Sequence, residues 1–148
     1  MVSPIIPYMK QELVILDTNI VLSGLQSSQG LSYKILQKIA NEEIQIGVSV
    51  PLILEYEKVL KDHLDRSIFS DEDIDEVINY LCKVGKPIKV FYLWRPFLRD
   101  PYDDHVLEVA IAGKCEFIIT YNKKDFIGTE DFGIHAVSPK EYLDRGRR

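Results

Sequence analysis

The chain is poor in the residues that specialise a fold. Its 148 residues include only 2 cysteines, 2 methionines, 1 tryptophan and 3 histidines. Cys82 and Cys115 lie far apart, with no CxxC and no Cys/His cluster around either. That excludes a disulfide framework and a thiolate metal site, and it fits two thiols of a reducing compartment, the cytoplasm. No apolar stretch approaches the ~18 residues of a membrane span. Met1 to Lys10 carries Pro4 and Pro7 and lacks a charged start followed by an apolar run, so no signal peptide is expected. Basic excess is missing too: 18 Lys and Arg face 23 Asp and Glu, a net charge of −5. A protein that grips nucleic acid with a broad basic surface would show the opposite balance. There is no GxSxG and no Cys–His pairing to suggest a serine or cysteine hydrolase.

What is present describes an ordinary globular chain, 46% hydrophobic and 28% charged. At this length folding buries roughly 68–70% of the unfolded surface, enough for one core without metals or disulfides. Leu13 to Leu16 is a short continuous apolar run, the signature of a strand buried on both faces. It stops at Asp17-Thr18-Asn19, residues that favour turns and helix N-caps, and a Ser/Gln/Gly-rich loop follows at Gln26 to Gly30. Leu31, Ile35, Leu36 and Ile39 then repeat at helical spacing. Ile44, Ile46, Val48 and Val50 alternate as in a strand, and Pro51 opens a helix through Leu64.

The acidic first turn Asp71-Glu72-Asp73 predicts a helix ending near Gly85, and Ile88 to Leu93 reads as a strand. Asp103 or Asp104 is expected to cap a helix closed by Gly113. Phe117 to Thr120 and Ile134 to Val137 read as strands, and Ser138-Pro139-Lys140-Glu141 as the start of a short last helix. This alternation predicts an α/β fold, a three-layer α/β/α sandwich around a mostly parallel sheet. Residues 1–12 read as a loosely ordered arm and residues 13–148 as a single domain, with Arg145 to Arg148 a fraying end.

Open parallel sheets bind ligands beyond the C-terminal ends of their strands. Asp17 follows the first strand. Glu55 falls early in the helix after the second. Asp104 starts the helix before the fourth, and Asn122 with Asp125 follows that strand. Each has a plain structural role available: an Asx-turn for Asp17, a cap for Asp104, a helix-dipole partner for Glu55. Gathered at one edge, however, carboxylates a few ångströms apart repel unless a cation sits between them. Oxygen donors without His or Cys point to Mg²⁺ or Mn²⁺ rather than Zn²⁺.

Ile15-Leu16-Asp17-Thr18-Asn19, the early-helix Glu55, Asp100-Pro101-x-Asp103-Asp104 and Ile119-Thr120-x-Asn122-x-x-Asp125-Phe126 stand in the order and spacing of PIN-domain proteins. From Leu13 to Leu143 the chain resembles that family, most of all its small prokaryotic VapC-like toxin components. The resemblance implies a metal-dependent endoribonuclease that hydrolyses single-stranded RNA. Asp17, Glu55 and Asp104 would be its acidic metal ligands for Mg²⁺ or Mn²⁺. Thr18 and Thr120 would orient ligands and water, with Asn19, Asp103 and Asp125 in support. Many members carry Asp where this chain has the neutral Asn122, which bears on a second metal and on the strength of catalysis. Asp125 or Asp103 could supply the carboxylate instead. The family further implies a small antitoxin partner and a homodimer, with no membrane association.

Lys123 and Lys124 stand beside this site as candidates for phosphate contact, as do Arg95 and Arg99. Phe91, Tyr92 and Trp94 are read as core rather than as base-stacking platforms, and His105 as a solvent-facing first-turn residue. The alternative function is a PIN fold with weak or no catalysis, serving as an RNA- or protein-binding module. A haloacid-dehalogenase-type phosphatase would need a second Asp two residues after Asp17, where Asn19 stands.

Overall fold

A computed structural model describes residues 12–90, 98 and 101–145, without the side chains of residues 101 and 102. Its centre is a five-stranded sheet, ordered β3-β2-β1-β4-β5 and parallel throughout. The strands are β1 (Glu12–Leu16), β2 (Ile44–Val48), β3 (Lys86–Pro87), β4 (Phe117–Ile119) and β5 (His135–Val137). Six helices accompany them: α1 (Thr18–Gln26), α2 (Leu31–Ala40), α3 (Val50–His63), α4 (Asp71–Val84), α5 (Pro101–Ala112) and α6 (Pro139–Asp144). Together they make the three-layer α/β/α arrangement expected from the alternation of elements. Among the described residues no helix is long and apolar enough to cross a membrane.

Position in the sheet explains the continuous apolar runs. β1 lies between β2 and β4, so Val14, Ile15 and Leu16 are fully buried, and Ile118 and Ile119 of β4 join them. Glu12 belongs to β1, opposite Ile44, rather than to the arm. Its carboxylate accepts a hydrogen bond from the Tyr142 hydroxyl and pairs with Arg145, whose guanidinium lies 4.5 Å from the Phe117 ring centre. Arg145 is therefore docked rather than frayed. Residues 1–11 and 146–148 lie outside the described residues.

Local signals set most helix starts. Ser70 with Asp73, and Ser138 with Glu141, form capping boxes at α4 and α6. Ser49 caps α3, with Pro51 in its first turn. Asp17-Thr18-Asn19, read as favouring turns or helix N-caps, opens a nine-residue helix, α1, capped by Asp17. Two expectations are corrected. α5 opens at Pro101, so Asp103 and Asp104 lie inside its first turn instead of capping it. The strand expected over Ile88–Leu93 is confined to Lys86–Pro87, with the Ile88 N–H adding one bond to Val48 O; residues 91–93 lie outside the description. A proline strand suits this position, because β3 is an edge with no further ladder to feed.

The strand order places the site. The chain builds outward from β1 through β2 to β3, then crosses back to lay β4 and β5 on the other side of β1. The sheet therefore reverses its winding between β1 and β4, the kind of point at which open α/β sheets bind their ligands.

Candidate active site

Asp17 stands at this reversal. Leu16 and Ile119 are register partners, so the next residues, Asp17 and Thr120, emerge side by side. The Asp17 N–H donates to Ile119 O (3.0 Å), and Thr120 Oγ1 donates to Asp17 Oδ2 (2.7 Å). Asp17 also caps α1: its backbone is extended, and Oδ1 accepts from the Thr18 N–H at 2.8 Å. Asn19 Nδ2 donates to Oδ2 at 3.2 Å, and Asn19 Oδ1 in turn accepts from the Tyr121 N–H at 3.4 Å. The cap role expected of Asp17 is thus present, and the same carboxylate stands at the C-terminal end of β1.

Electrostatics at Asp17 are set by burial. It is 6% exposed, and removal from water pushes its carboxyl above the ordinary value. Donors from Thr120 and Thr18 pull the other way without cancelling the shift, and the nearby charge of Asp125 adds to it. Asp125, in the short helical turn after β4, is thus near enough to Asp17 for its charge to act on it. Asn122 is exposed and serves through its backbone, donating its N–H to Thr120 Oγ1 at 2.9 Å and so steadying the hydroxyl that holds Asp17.

The other acids stand on α3 and α5. Glu55 is the sixth residue of α3, in its second turn, and partly buried. Its charge and that of Asp17 both reach Tyr56, whose phenol is forced well above its ordinary pKa, chiefly by burial. The Tyr56 hydroxyl donates to Leu16 O, fastening α3 to the end of β1 just before Asp17. Asp104 is fully buried. Its Oδ1 accepts from the Leu98 N–H at 2.9 Å, while Oδ2 has no hydrogen-bond partner among the described residues. A buried carboxylate oxygen left without a donor is costly unless something else comes to it. Asp103 is partly buried in the same turn.

The flanking basic and aromatic candidates separate. Lys123 is held in an ion pair with Glu141 at 2.9 Å, so its charge is engaged with α6. Lys124 is exposed and has no ion pair among the described residues. His105 is not solvent-facing as expected: its side chain is 22% exposed and lies 3.9 Å from the carboxylate of Glu108. Glu108, itself 2% exposed, was missed by sequence reading, because a lone Glu amid helical apolar residues carries no site signal. Arg95, Arg99, Phe91, Tyr92 and Trp94 lie outside the described residues.

The donors fit a hard divalent cation in kind, being oxygens, and the unpartnered Asp104 oxygen is the feature that such an ion would satisfy. The spacing is looser: among the described residues no group of three or more His, Cys, Asp or Glu side chains is placed to hold an ion. Mg²⁺ tolerates this, since it keeps several waters and needs only one or two carboxylates. A separate cavity of about 500 Å³ lies between α1, α2 and α4, lined by residues such as Val21, Leu25, Leu36 and Val77. None of the strand-end acids lines it.

Three comparisons bear on this arrangement. The chain matches the PIN domain family over residues 13–124. No curated protein sequence matches it. Among solved structures it is similar to VapBC2 from Rickettsia felis bound to a DNA fragment from their promoter, at 16% identity and TM-score 0.59, covering 85% of this chain and 98% of that one. It is similar to VapBC-1 from nontypeable Haemophilus influenzae at 16% identity and TM-score 0.57, over 86% and 98%. FitAcB from Neisseria gonorrhoeae gives 14% identity and TM-score 0.60, over the same shares. At such identities these neighbours establish the fold, and the family match covers most of the sequence. The chain belongs to the PIN-domain family.

Proposed function

We propose that this protein is a Mg²⁺- or Mn²⁺-dependent endoribonuclease that hydrolyses phosphodiester bonds of single-stranded RNA, and that it is the toxin component of a toxin–antitoxin pair. The observation that carries the reading is the pair of buried carboxylates. Asp17 is held by three donors at the winding reversal of the sheet, and Asp104 is fully buried with one oxygen unpartnered among the described residues. Ordinary surface acids pay no such desolvation cost, and it is offset most directly by a bound cation.

Of Asp17, Glu55 and Asp104, one or two would ligate the ion directly and the rest would act through its waters. When bound, it supplies Lewis-acid stabilisation of the phosphate charge and a more acidic water. The chain's own groups do the positioning. Thr120, braced by the Asn122 N–H, fixes the Asp17 carboxylate, and Asn19 fixes its second edge. Asp125 would supply a further negative charge where Asn122 is neutral, since its charge acts on Asp17. Lys124, exposed and without an ion pair among the described residues, would meet a substrate phosphate.

Partnership with a small antitoxin draws support from the VapBC and FitAB assemblies to which the fold is similar. A homodimer in the cytoplasm completes the reading.

The test is cleavage of end-labelled single-stranded RNA by wild type and Asp17→Asn in Mn²⁺, Mg²⁺ and EDTA. Cleavage by wild type alone, abolished by EDTA, is expected; equal cleavage by the two proteins would place the site elsewhere. A second reading, a PIN fold that binds without cutting, is favoured by the looseness of the acidic set. It predicts RNA or protein binding with no metal-dependent cleavage.

A further inference from the structure

Tyr121 occupies an unusual position for an exposed aromatic residue. It follows Thr120, whose hydroxyl holds Asp17, and it precedes Asn122, whose N–H holds Thr120. Its side chain is 49% exposed, yet its hydroxyl is not given over to water. It lies 2.6 Å from Ser32 Oγ, which belongs to a residue only 1% exposed at the start of α2. Ser32 is itself 2.7 Å from Ser23 Oγ on α1. The backbone of Tyr121 is fixed as well, because its N–H donates to Asn19 Oδ1.

The residue is therefore fastened twice, its backbone to α1 through Asn19 and its hydroxyl to α2 through Ser32, while about half of it faces solvent. A tyrosine that only packs buries its ring; here the hydroxyl is bonded to a buried serine while about half of the residue stays exposed. An aromatic side chain held still, next in the chain to the threonine that holds Asp17, has already lost freedom that binding would otherwise remove. Unpaired bases stack on such a face whatever their identity, while bases in a duplex are already stacked on one another and cannot reach it.

We propose that Tyr121 is a substrate-binding residue whose anchored ring stacks on an unpaired base next to the scissile phosphate, and so selects single-stranded over double-stranded RNA. The inference rests on the nuclease reading for the identity of the substrate. Ser32 is then a positioning residue: it touches no substrate and acts by holding the ring.

The test measures binding separately from cleavage. Fluorescence anisotropy with a fluorescein-labelled single-stranded RNA 20-mer in EDTA gives Kd without turnover, and the annealed duplex serves as the second probe. Thermal melting confirms that each variant is folded. Tyr121→Ala is expected to weaken single-strand binding roughly 5- to 150-fold, the range spanned by loss of one aromatic–base stack, and to leave duplex binding unchanged. Tyr121→Trp restores single-strand binding; Tyr121→Phe and Ser32→Ala keep the ring, lose its anchor and fall between.

In the cleavage assay the Ala variant raises KM more than it lowers kcat. Equal single-strand affinity for wild type and Tyr121→Ala overturns the inference, and so does an equal loss on both probes. Should wild type bind RNA through Tyr121 without cutting it under any metal, the inference stands and the nuclease reading falls. If wild type binds neither probe, both fall.

Discussion

Thr120 Oγ1 donates a 2.7 Å hydrogen bond to Asp17 Oδ2, joining residues 103 positions apart in the chain. The bond follows from strand register: β1 and β4 are parallel neighbours paired at Leu16 and Ile119, so the residues leaving each strand meet above the sheet. The hydroxyl also accepts from the Asn122 N–H at 2.9 Å, so one threonine ties the carboxylate to the loop that follows β4.

Thr120→Val keeps shape and removes both bonds. Asp17 Oδ2 keeps only the longer Asn19 donor, and the Asn122 N–H loses its acceptor. The expected cost is about 1–3 kcal/mol in urea unfolding. Loss of a donor disfavours the charged carboxylate, so the acid limb of the cleavage pH profile moves to higher pH, while Thr120→Ser recovers both properties. An unmoved acid limb would show that Asp17 does not titrate in the reaction.

Asp17 makes stability depend on pH in an identifiable direction. Its folded pKa lies above the ordinary carboxylate value of about 3.9, so folding is favoured while the group is protonated and disfavoured as it ionises. In EDTA, wild type therefore loses stability relative to Asp17→Asn as pH rises from below 3.9 through the raised value. Each tenfold change in acidity corresponds to about 1.4 kcal/mol. Parallel stability curves for the two proteins, from urea melts across that range, would contradict the shift.

The two cysteines differ in reactivity. Cys82 is exposed on α4, whereas Cys115 is buried, with its thiol pushed up to about 12 by loss of water. Ellman's reagent at neutral pH is expected to titrate one thiol in the native protein and two after denaturation. Cys82→Ser abolishes the fast reaction; a native Cys115 that reacts at the rate of Cys82 would refute the burial.

Gly47 marks a tight contact in the core. A Cβ there would stand 2.5 Å from Ile88 Cδ1 and 2.8 Å from Ile15 Cδ1. Gly47→Ala is expected to destabilise by about 1–3 kcal/mol through overpacking, and Ile88→Val in the same chain to return part of the loss. Urea midpoints for the single and double variants measure this.

Several elements are legible from local pattern because local physics decides them. The apolar runs of β1 and β4, the capping boxes of α4 and α6 and the prolines near helix starts each act within a few residues. α1 was not legible. Its sequence, with Asn19, Ser23 and Gly24, has weak helix propensity, and its stability comes from packing. Gly24 makes that packing possible: a Cβ at this position would meet Leu36 Cδ1 at 2.5 Å, so the glycine that weakens the helix in isolation lets α2 lie close against it. β3 failed for the opposite reason. Ile88 to Val90 has strand character, but the edge of the sheet pairs Lys86 and Pro87 and leaves the better strand formers outside the ladder, apart from the Ile88 N–H.

The sequence by itself determined the α/β class, the parallel sheet and the identity of the strand-end acids, because periodicity and motif spacing encode all three. Tertiary structure decided the surroundings of each acid. Asp17 is buried, a helix cap and held by Thr120; Asp104 is buried with an oxygen unpartnered among the described residues; the charge of Asp125 acts on Asp17. The reason is physical: burial and charge proximity depend on which strands are neighbours. That order is set when the chain reverses its winding at β1, and no local window of sequence contains it.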